Sequence, residues 1–243
     1  GGGVTFKTFG TSSLMVGDTT TGTIDAANYN TGLGVDVFAA LTTGDTNIAV
    51  GFAALTSLTT GHANVALGYQ AGDAMTTGYG NILIGESVGT AITSGNSNLA
   101  AGHGALTSLT TGASNTMLGS LAGDAITSAS SNSGVGASCL GALTTGYNNH
   151  AQGASAMSST TTGVENTAMG HQALYSNVGG NDNVAIGNNA LYTNTASGNT
   201  AVGDQALFSN TSGPENTAVG DNALFANTTG EKNTAVGSGA LDS

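Results

Sequence analysis

The feature that most constrains this chain is a phrase of 17 residues that recurs along its length. Each copy begins with Asn, replaced once by Ser, and carries Gly at its fifth position. The fourteen copies start at Ser13, Asn30, Asn47, Asn64, Asn81, Asn98, Asn115, Asn132, Asn149, Asn166, Asn183, Asn199, Asn216 and Asn233, always 17 residues apart except for one step of 16 between Asn183 and Asn199. We number the positions of every copy from its first residue. A fixed period of this kind indicates a fold in which each copy is one structural unit.

The period and the local pattern together predict the fold class. Seventeen residues are too few for a helical hairpin, and no segment sustains an apolar period of 3.6 residues. Short runs rich in Val, Ile and Thr alternate with Gly, Asn and Ser, which is typical of short strands and turns. The sequence therefore predicts an all-β fold, a parallel β-solenoid or β-roll of about fourteen 17-residue coils, with equivalent side chains stacked about 4.8 Å apart.

Two columns of the stack are assigned by residue type. The asparagines at position 1 are predicted to form an amide ladder in which each side chain bonds to the next coil. The ladder residues are Asn47, Asn64, Asn81, Asn98, Asn166, Asn183, Asn199 and Asn216. The glycines at position 5 are predicted to be turn residues. They include Gly51, Gly68, Gly85, Gly203 and Gly220.

Other columns predict the core. Position 4 is usually aliphatic, as in Val16 and Leu33, and is predicted to face the interior, with Leu or Met at position 9 as the second wall. Position 8 is almost always Ala, so Cys139 in that column is predicted to be a buried, unreactive thiol. Positions 13 to 15, commonly Thr-Thr-Gly, are predicted to form a corner where the glycine takes a positive φ.

Position 12 divides the chain into zones. Residues 1–12 fit the tail of a preceding coil, and residues 13–148 form a first solenoid zone in which position 12 is apolar. Residues 166–243 form a second zone, with Asn at position 12 and an aromatic residue at position 10. Between them, residues 149–165 form an irregular junction coil in which Gln152 replaces the aliphatic residue at position 4.

The strands also predict a partner chain. NIAVG, NVALG and NILIG are apolar at three consecutive positions, so both faces of the strand are expected to be covered. One cover is the thin core of the coil, and small residues at position 3, such as Ala49 and Ala66, would allow a second chain to approach. We therefore expect a homo-oligomer. Gln152 is then either a tolerated irregularity or an axial polar site where several chains meet and hold water or an ion.

The charge balance excludes some partners. Two basic residues, Lys7 and Lys232, stand against 14 acidic ones, which gives a net charge of -12. Phosphate-binding surfaces need Lys and Arg, so we expect no nucleic-acid partner. No signal peptide or stretch of about 18 apolar residues is visible, so we expect no membrane insertion, and the chain reads as a segment of a longer protein.

The sequence contains no arrangement typical of catalysis or metal binding. The histidines fall in scattered columns, and Asp204 and Asp221, which share position 6 of neighbouring coils, are interpreted as solvated surface charge. We therefore expect no enzyme activity, no metal and no cofactor. A column of threonines at position 13, including Thr42 and Thr59, leaves ice binding as a minor alternative.

The repeats resemble those of a known family of proteins. The phrases NTAVGDQALFSNTSG and NVALGYQAGDAMTTG resemble the repeats of phage tail-fibre proteins, and NVAIG at residues 183–187 is more loosely similar to the head repeats of trimeric autotransporter adhesins. The resemblance covers nearly the whole chain. It implies a left-handed, trimeric β-roll on a virion tail fibre or a bacterial cell surface, although the 17-residue period is longer than that of the adhesin heads.

The sequence therefore favours a structural and adhesive role. We expect a rigid shaft or head of an extracellular appendage that assembles with itself, as a trimer by resemblance, and attaches to a cell-surface glycan or protein receptor. One alternative is a subunit of a self-assembling extracellular filament, because no capping sequence is visible at either end of the repeats. A polysaccharide-degrading tailspike is a further alternative, disfavoured by the absence of Trp and of a clustered acidic pair.

Overall fold

The fold is described from a computed structural model of the chain, which covers residues 6–10, 12–17 and 26–242. The described residues form strands, turns and bends and contain no helix. The strands are β1 (Phe6–Phe9), β2 (Ser13–Gly17), β3 (Thr31–Gly34), β4 (Ile48–Val50), β5 (Val65–Leu67), β6 (Ile82–Ile84), β7 (Leu99–Ala101), β8 (Thr116–Leu118), β9 (Ser133–Val135), β10 (His150–Gln152), β11 (Thr167–Met169), β12 (Val184–Ile186), β13 (Thr200–Val202), β14 (Thr217–Val219) and β15 (Thr234–Val236).

The chain divides into two compact units with the same internal construction. Unit one comprises residues 1–115 with β1–β7, and unit two comprises residues 116–243 with β8–β15. Within each unit, β2 to β7 and β8 to β15 pair in parallel in chain order, one strand per coil. The register follows the repeat, so that Ile48 pairs with Val65 and Thr200 with Thr217. The predicted all-β solenoid of about 17 residues per coil is confirmed.

The first strand departs from the repeat. β1 runs antiparallel to β2, with Lys7 opposite Met15 and Phe9 opposite Ser13. Gly10 and Ser12 both take left-handed φ values, near 52° and 57°, which suits a tight hairpin loop. Residues 6–10 therefore differ from the expected tail of a preceding coil, while residues 1–5 and 11 lie outside the described part. β1 also covers one edge of β2, where the sequence showed no cap.

The strands face the opposite way from the expectation. Position 3 is buried in every coil, and positions 2 and 4 are exposed or half-exposed, as in β6, where Leu83 is buried between Ile82 and Ile84. The prediction that position 4 faces the interior is therefore wrong, as is the prediction that position 3 meets a partner chain. The reason is the two-residue alternation of a strand: the buried Asn at position 1 forces position 3 to the same side.

The core between the strand and the rest of the coil is thin, and its columns compensate for one another. Positions 3, 8, 9 and 12 supply the buried side chains, with Cys139 among them. Position 9 is Gly in three coils, and a large residue at position 3 fills the space instead. A Cβ on Gly72 would lie 2.8 Å from Leu83, and a Cβ on Gly89 would lie 3.2 Å from it. Conversely, Gly32 at position 3 leaves room for Phe38 at position 9. In the coil of Asn64, which has Ala66 at position 3, the space beside Gly72 is filled by Leu83 of the next coil.

The glycines of the repeat are required by the approach of the next coil. At position 5, Gly51 has φ near 131°, and an added Cβ would collide with the carbonyl oxygen of Gly68. At position 15, a Cβ on Gly78 would lie 2.6 Å from the carbonyl oxygen of Gly95. Position 15 does not take a left-handed φ, so that part of the corner prediction is wrong. The close approach of the next coil favours glycine there, although Ala129 and Ala196 occupy position 15 in two coils.

Candidate interaction surface and the ladders behind it

The asparagines at position 1 lie in a buried hydrogen-bonded ladder in both units. Asn64 shows the pattern: its Nδ2 donates to Asn47 Oδ1 at 3.0 Å and to the carbonyl of Gly78 at 2.8 Å. Its Oδ1 accepts the backbone N–H of Asn81 at 3.0 Å and Asn81 Nδ2 at 3.1 Å. The side-chain amide of Asn64 thus bonds to the coils before and after it, and its bond to Gly78 connects positions 1 and 15 of its own coil. The structure places all eight ladder residues named from the sequence in this buried column: Asn47, Asn64, Asn81, Asn98, Asn166, Asn183, Asn199 and Asn216.

A second ladder, which the sequence analysis did not identify, occupies position 12 of unit two. Asn210 Nδ2 donates to Asn194 Oδ1 at 2.8 Å, and Asn227 Nδ2 donates to Asn210 Oδ1 at 2.9 Å. Asn194 and Asn210 are buried where unit one has leucine, isoleucine or methionine. The signal in the sequence was the same as for position 1, an Asn recurring with the coil period.

The second ladder is incomplete at its start. Thr160 and Asn177 occupy position 12 of consecutive coils, and both are fully buried. Thr160 Oγ1 and Asn177 Oδ1 have no hydrogen-bond partner. Asn177 Nδ2 donates only to the carbonyl of Gly180, at 2.8 Å, and the amide of Asn194 turns to Ala196. Buried polar atoms without partners cost stability, so this stretch is the weakest part of the column.

The single 16-residue coil accommodates its deletion at the corner. Thr195 Oγ1 donates to the carbonyl of Thr211, as expected of position 13, and Ala196 accepts from Asn183 Nδ2, as expected of position 15. The missing residue is therefore position 14. The first ladder continues through this coil, but Asn199 Nδ2 turns to Asn194 Oδ1 at 3.2 Å, which links the two ladders.

The threonines at position 13 form a third set of contacts between coils. Thr42 Oγ1 donates to the carbonyl of Thr59 at 3.0 Å, and Thr144 Oγ1 donates to the carbonyl of Thr161 at 3.1 Å. Their hydroxyl hydrogens are therefore used within the protein. An array of threonines that binds ice would have to offer these groups to solvent, so the geometry does not favour that alternative.

The outward side chains of the strands form the candidate interaction surface. We call the side chains at positions 2 and 4 of β2–β15 the strand face. In unit one this face is almost entirely aliphatic, and Leu33, Ile48 and Ile84 are 50%, 42% and 41% exposed. None of the 14 acidic and two basic residues of the chain falls at positions 2 to 4 of any coil. An uncharged apolar strip on a chain of net charge -12 is the kind of surface that marks an interaction site.

The junction coil interrupts this strip. β10 presents His150 and Gln152 outward, both exposed, and buries Ala151 between them. Its parallel neighbours place Ser133 and Thr167 beside His150, and Val135 and Met169 beside Gln152. Gln152, the axial polar site suggested by the sequence, therefore lies on the strand face of unit two. His150 is the one titratable side chain on that face.

Stacked aromatic rings run along another side of unit two. Tyr175, Tyr192, Phe208 and Phe225 occupy position 10, with ring centroids 5.1 to 5.2 Å apart and nearly parallel planes. The rings are half-buried. Because their flat faces contact one another, they do not form an open platform for a sugar ring. They add apolar contact outside the core of coils whose position 12 is polar.

The ionisable groups are scattered over the described residues. No group of three or more His, Cys, Asp or Glu could hold a metal ion there. Asp204 and Asp221 are exposed at position 6 of neighbouring coils. Burial raises the pKa of Cys139 to about 11, so its thiol stays protonated and unreactive. Burial also raises the pKa of Asp73 and of Asp124. The predicted burial of Cys139 is confirmed.

No family model, no curated protein and no solved structure matches this chain. Across residues 6–10, 12–17 and 26–242, no helix has the length and apolar character needed to cross a bilayer. The resemblance to tail-fibre repeats, the handedness of the coils and the trimeric state stay predictions.

Proposed function

We propose that this chain is a structural segment of an extracellular appendage, a rigid shaft or head that assembles from several copies of itself. The observation that carries the proposal is the continuous use of ladders between coils. In each unit the position-1 amides tie each coil to the next, in addition to the backbone pairs. Hydroxyls at position 13 add a further bond between coils, except where that position is Val178. Hydrogen bonding of each coil to the next favours a stiff solenoid.

The attachment role rests on the resemblance to tail-fibre repeats and adhesin heads. The binding target would be a glycan or protein receptor on a cell surface, and the chain would be located on a virion tail fibre or a bacterial surface. The strand face supports assembly with further copies of this chain, because it is apolar and free of formal charge in a strongly acidic protein. Trimers are the form that the resemblance favours.

The proposal is tested by the mass and shape of the purified chain. Light scattering coupled to size-exclusion chromatography should give the mass of three chains, and electron microscopy should show short, straight rods of uniform length. A mass of one 23.4 kDa chain at micromolar concentration would contradict assembly. Continuous filaments would favour the alternative of a self-assembling filament subunit.

Attachment needs a separate measurement. Labelled protein should bind to immobilised bacterial surface glycans or to whole cells. The control is the same labelled protein, unfolded in denaturant and applied to the same surfaces. Binding equal to the control would contradict the adhesive role and leave the structural role standing. Release of sugar from those glycans would instead favour the tailspike alternative.

A further inference from the structure

The outward side chains of the strand face repeat from coil to coil, which leaves the alignment of two associated copies undetermined. In unit two, β8, β9 and β11–β15 each present Thr, Ser or Val at position 2 and an aliphatic residue or Met at position 4. Sliding one parallel copy along another by one coil, about 4.8 Å, would therefore place nearly identical side chains opposite each other. Such a face permits assembly but does not by itself select one alignment.

β10 breaks this repetition. His150 and Gln152 are the only pair in unit two in which both outward positions carry a hydrogen-bonding group larger than a hydroxyl. We propose that His150 and Gln152 fix the axial register of parallel copies of this chain that meet through the strand face. The inference rests on the proposed assembly, and it names the residues that give that assembly one alignment.

Charge and area both favour a second copy of this chain as the occupant of the strand face. All formally charged side chains lie outside positions 2 to 4, so two copies can bring these strips together while their acidic residues stay in solvent. With about 4.8 Å between strands and about 10 Å for three residues, the face measures about 380 Å² for β8–β15 and about 290 Å² for β2–β7. The strip of unit two alone therefore supplies about half of the roughly 800 Å² per partner of a standard interface.

Hydrogen bonding distinguishes the aligned from the slipped state. In register, Gln152 meets the Gln152 of the other copy, and each amide offers both a donor and an acceptor to its equivalent. After a slip of one coil, Gln152 faces Val135 or Met169 instead, which are its neighbours on the two sides. A buried amide without a partner then disfavours the slipped state by about tenfold or more. A polar residue in an apolar seam sets the register of coiled coils in the same way.

The test compares the wild-type chain with the double variant His150→Thr, Gln152→Val, which copies the outward residues of β13. Distances between copies are measured by pulsed electron spin resonance in a mixture of two populations. One population carries a nitroxide on Ser120→Cys, and the other carries a gadolinium label on Asn188→Cys. Both sites are exposed at position 6, four coils apart in unit two, which corresponds to an axial offset of about 19 Å. Cys139→Ala in both populations leaves the introduced cysteine as the only thiol.

The wild-type pair should give one narrow distance, and the double variant should give several, from axial offsets that differ in steps of about 4.8 Å. A third chain moves the polar pair by one coil, combining the double variant with Thr167→His and Met169→Gln. Mixed with wild-type chains, it should shift the axial offset by one such step. A double variant that assembles and keeps the single narrow distance would overturn the register role while the assembly stands. A monomeric wild-type chain would overturn both.

Discussion

We expect the position-1 ladder to contribute several kcal/mol to the free energy of unfolding, and Asn64 is a suitable residue for the test. The change Asn64→Ala removes four hydrogen bonds, two donated by Nδ2 to Asn47 and Gly78 and two accepted by Oδ1 from Asn81. At about 1 kcal/mol for each bond, the loss is about 4 kcal/mol. The backbone N–H of Asn81 is left buried without this acceptor, so its share of the loss is about 1 to 3 kcal/mol rather than about 1 kcal/mol.

A loss of this size is a large share of the stability of an ordinary domain, which is about 5 to 15 kcal/mol. Because each coil contacts only its neighbours, we expect the damage to centre on the coils that start at Asn47, Asn64 and Asn81. The amide hydrogen of Asn81 should exchange with solvent much faster than in the wild-type protein. The free energy change is measured from the shift of the urea unfolding midpoint, followed by circular dichroism.

The matched control is Asn96→Ala, the same chemical change in the same unit. Asn96 lies at position 16 and is half-exposed, and its side chain has no hydrogen bond in the part of the chain that the structure describes. We expect it to change the free energy of unfolding by less than about 0.5 kcal/mol. If Asn64→Ala and Asn96→Ala agree to within about 1 kcal/mol, the energetic role assigned to the ladder is refuted.

Three further changes test other columns by the same unfolding measurement. Thr160→Asn should raise the free energy of unfolding by about 1 kcal/mol, because the Oδ1 of the introduced asparagine would accept a hydrogen bond from Asn177 Nδ2. The control Leu143→Asn, one coil earlier, should lower the free energy of unfolding. Gly220→Ala should destabilise unit two by about 2 kcal/mol or more, since φ is near 136° and the added Cβ would collide with the Gly237 carbonyl. The control Gly141→Ala, whose Cβ would lie 3.2 Å from its nearest atom, should have little effect. Equal effects of the two changes would contradict this explanation. Asp73→Thr should stabilise unit one at neutral pH: burial raises the folded pKa of Asp73 above 3.8, so its stabilising effect is present below that value and is lost as pH rises through the folded pKa. The gain from Asp73→Thr should therefore shrink below about pH 4, and a gain independent of pH would refute the assignment.

The solenoid, its period and the position-1 column could be predicted from the sequence because each depends on repetition. An Asn or Gly that recurs at one position of every coil must stack on itself, whatever the shape of the coil. The orientation of the strand could not be predicted from hydrophobicity, since position 4, and in unit one also position 2, usually carries a larger aliphatic side chain than position 3. Residue size was the better guide: a thin interior accepts Ala49 or Gly32, and a large residue such as Leu83 occurs where Gly72 and Gly89 leave space.

The second ladder was missed because asparagines at position 12 were interpreted as exposed residues of a turn. Asn194 and Asn210 follow Leu191 and Leu207 closely, and an Asn near the end of an apolar run normally indicates a turn. Only the stacking shows that these amides bond to one another inside the coil. β1 was missed for a different reason, because four residues that pair antiparallel carry no signal that separates them from part of a coil.

The junction coil of residues 149–165 is where the inner and outer columns change together. Inside, Thr160 is neither the leucine of the earlier coils nor the asparagine of the later ones, and its hydroxyl lacks a partner. Outside, His150 and Gln152 replace the usual pair on the strand face. If the coil were only a weakness, replacing its inner and outer residues should both be harmless to assembly. If His150 and Gln152 set the register, the inner and outer replacements have different effects. Thr160→Asn should strengthen the fold and leave the alignment of copies unchanged. His150→Thr with Gln152→Val should leave the fold intact and give several alignments of the copies.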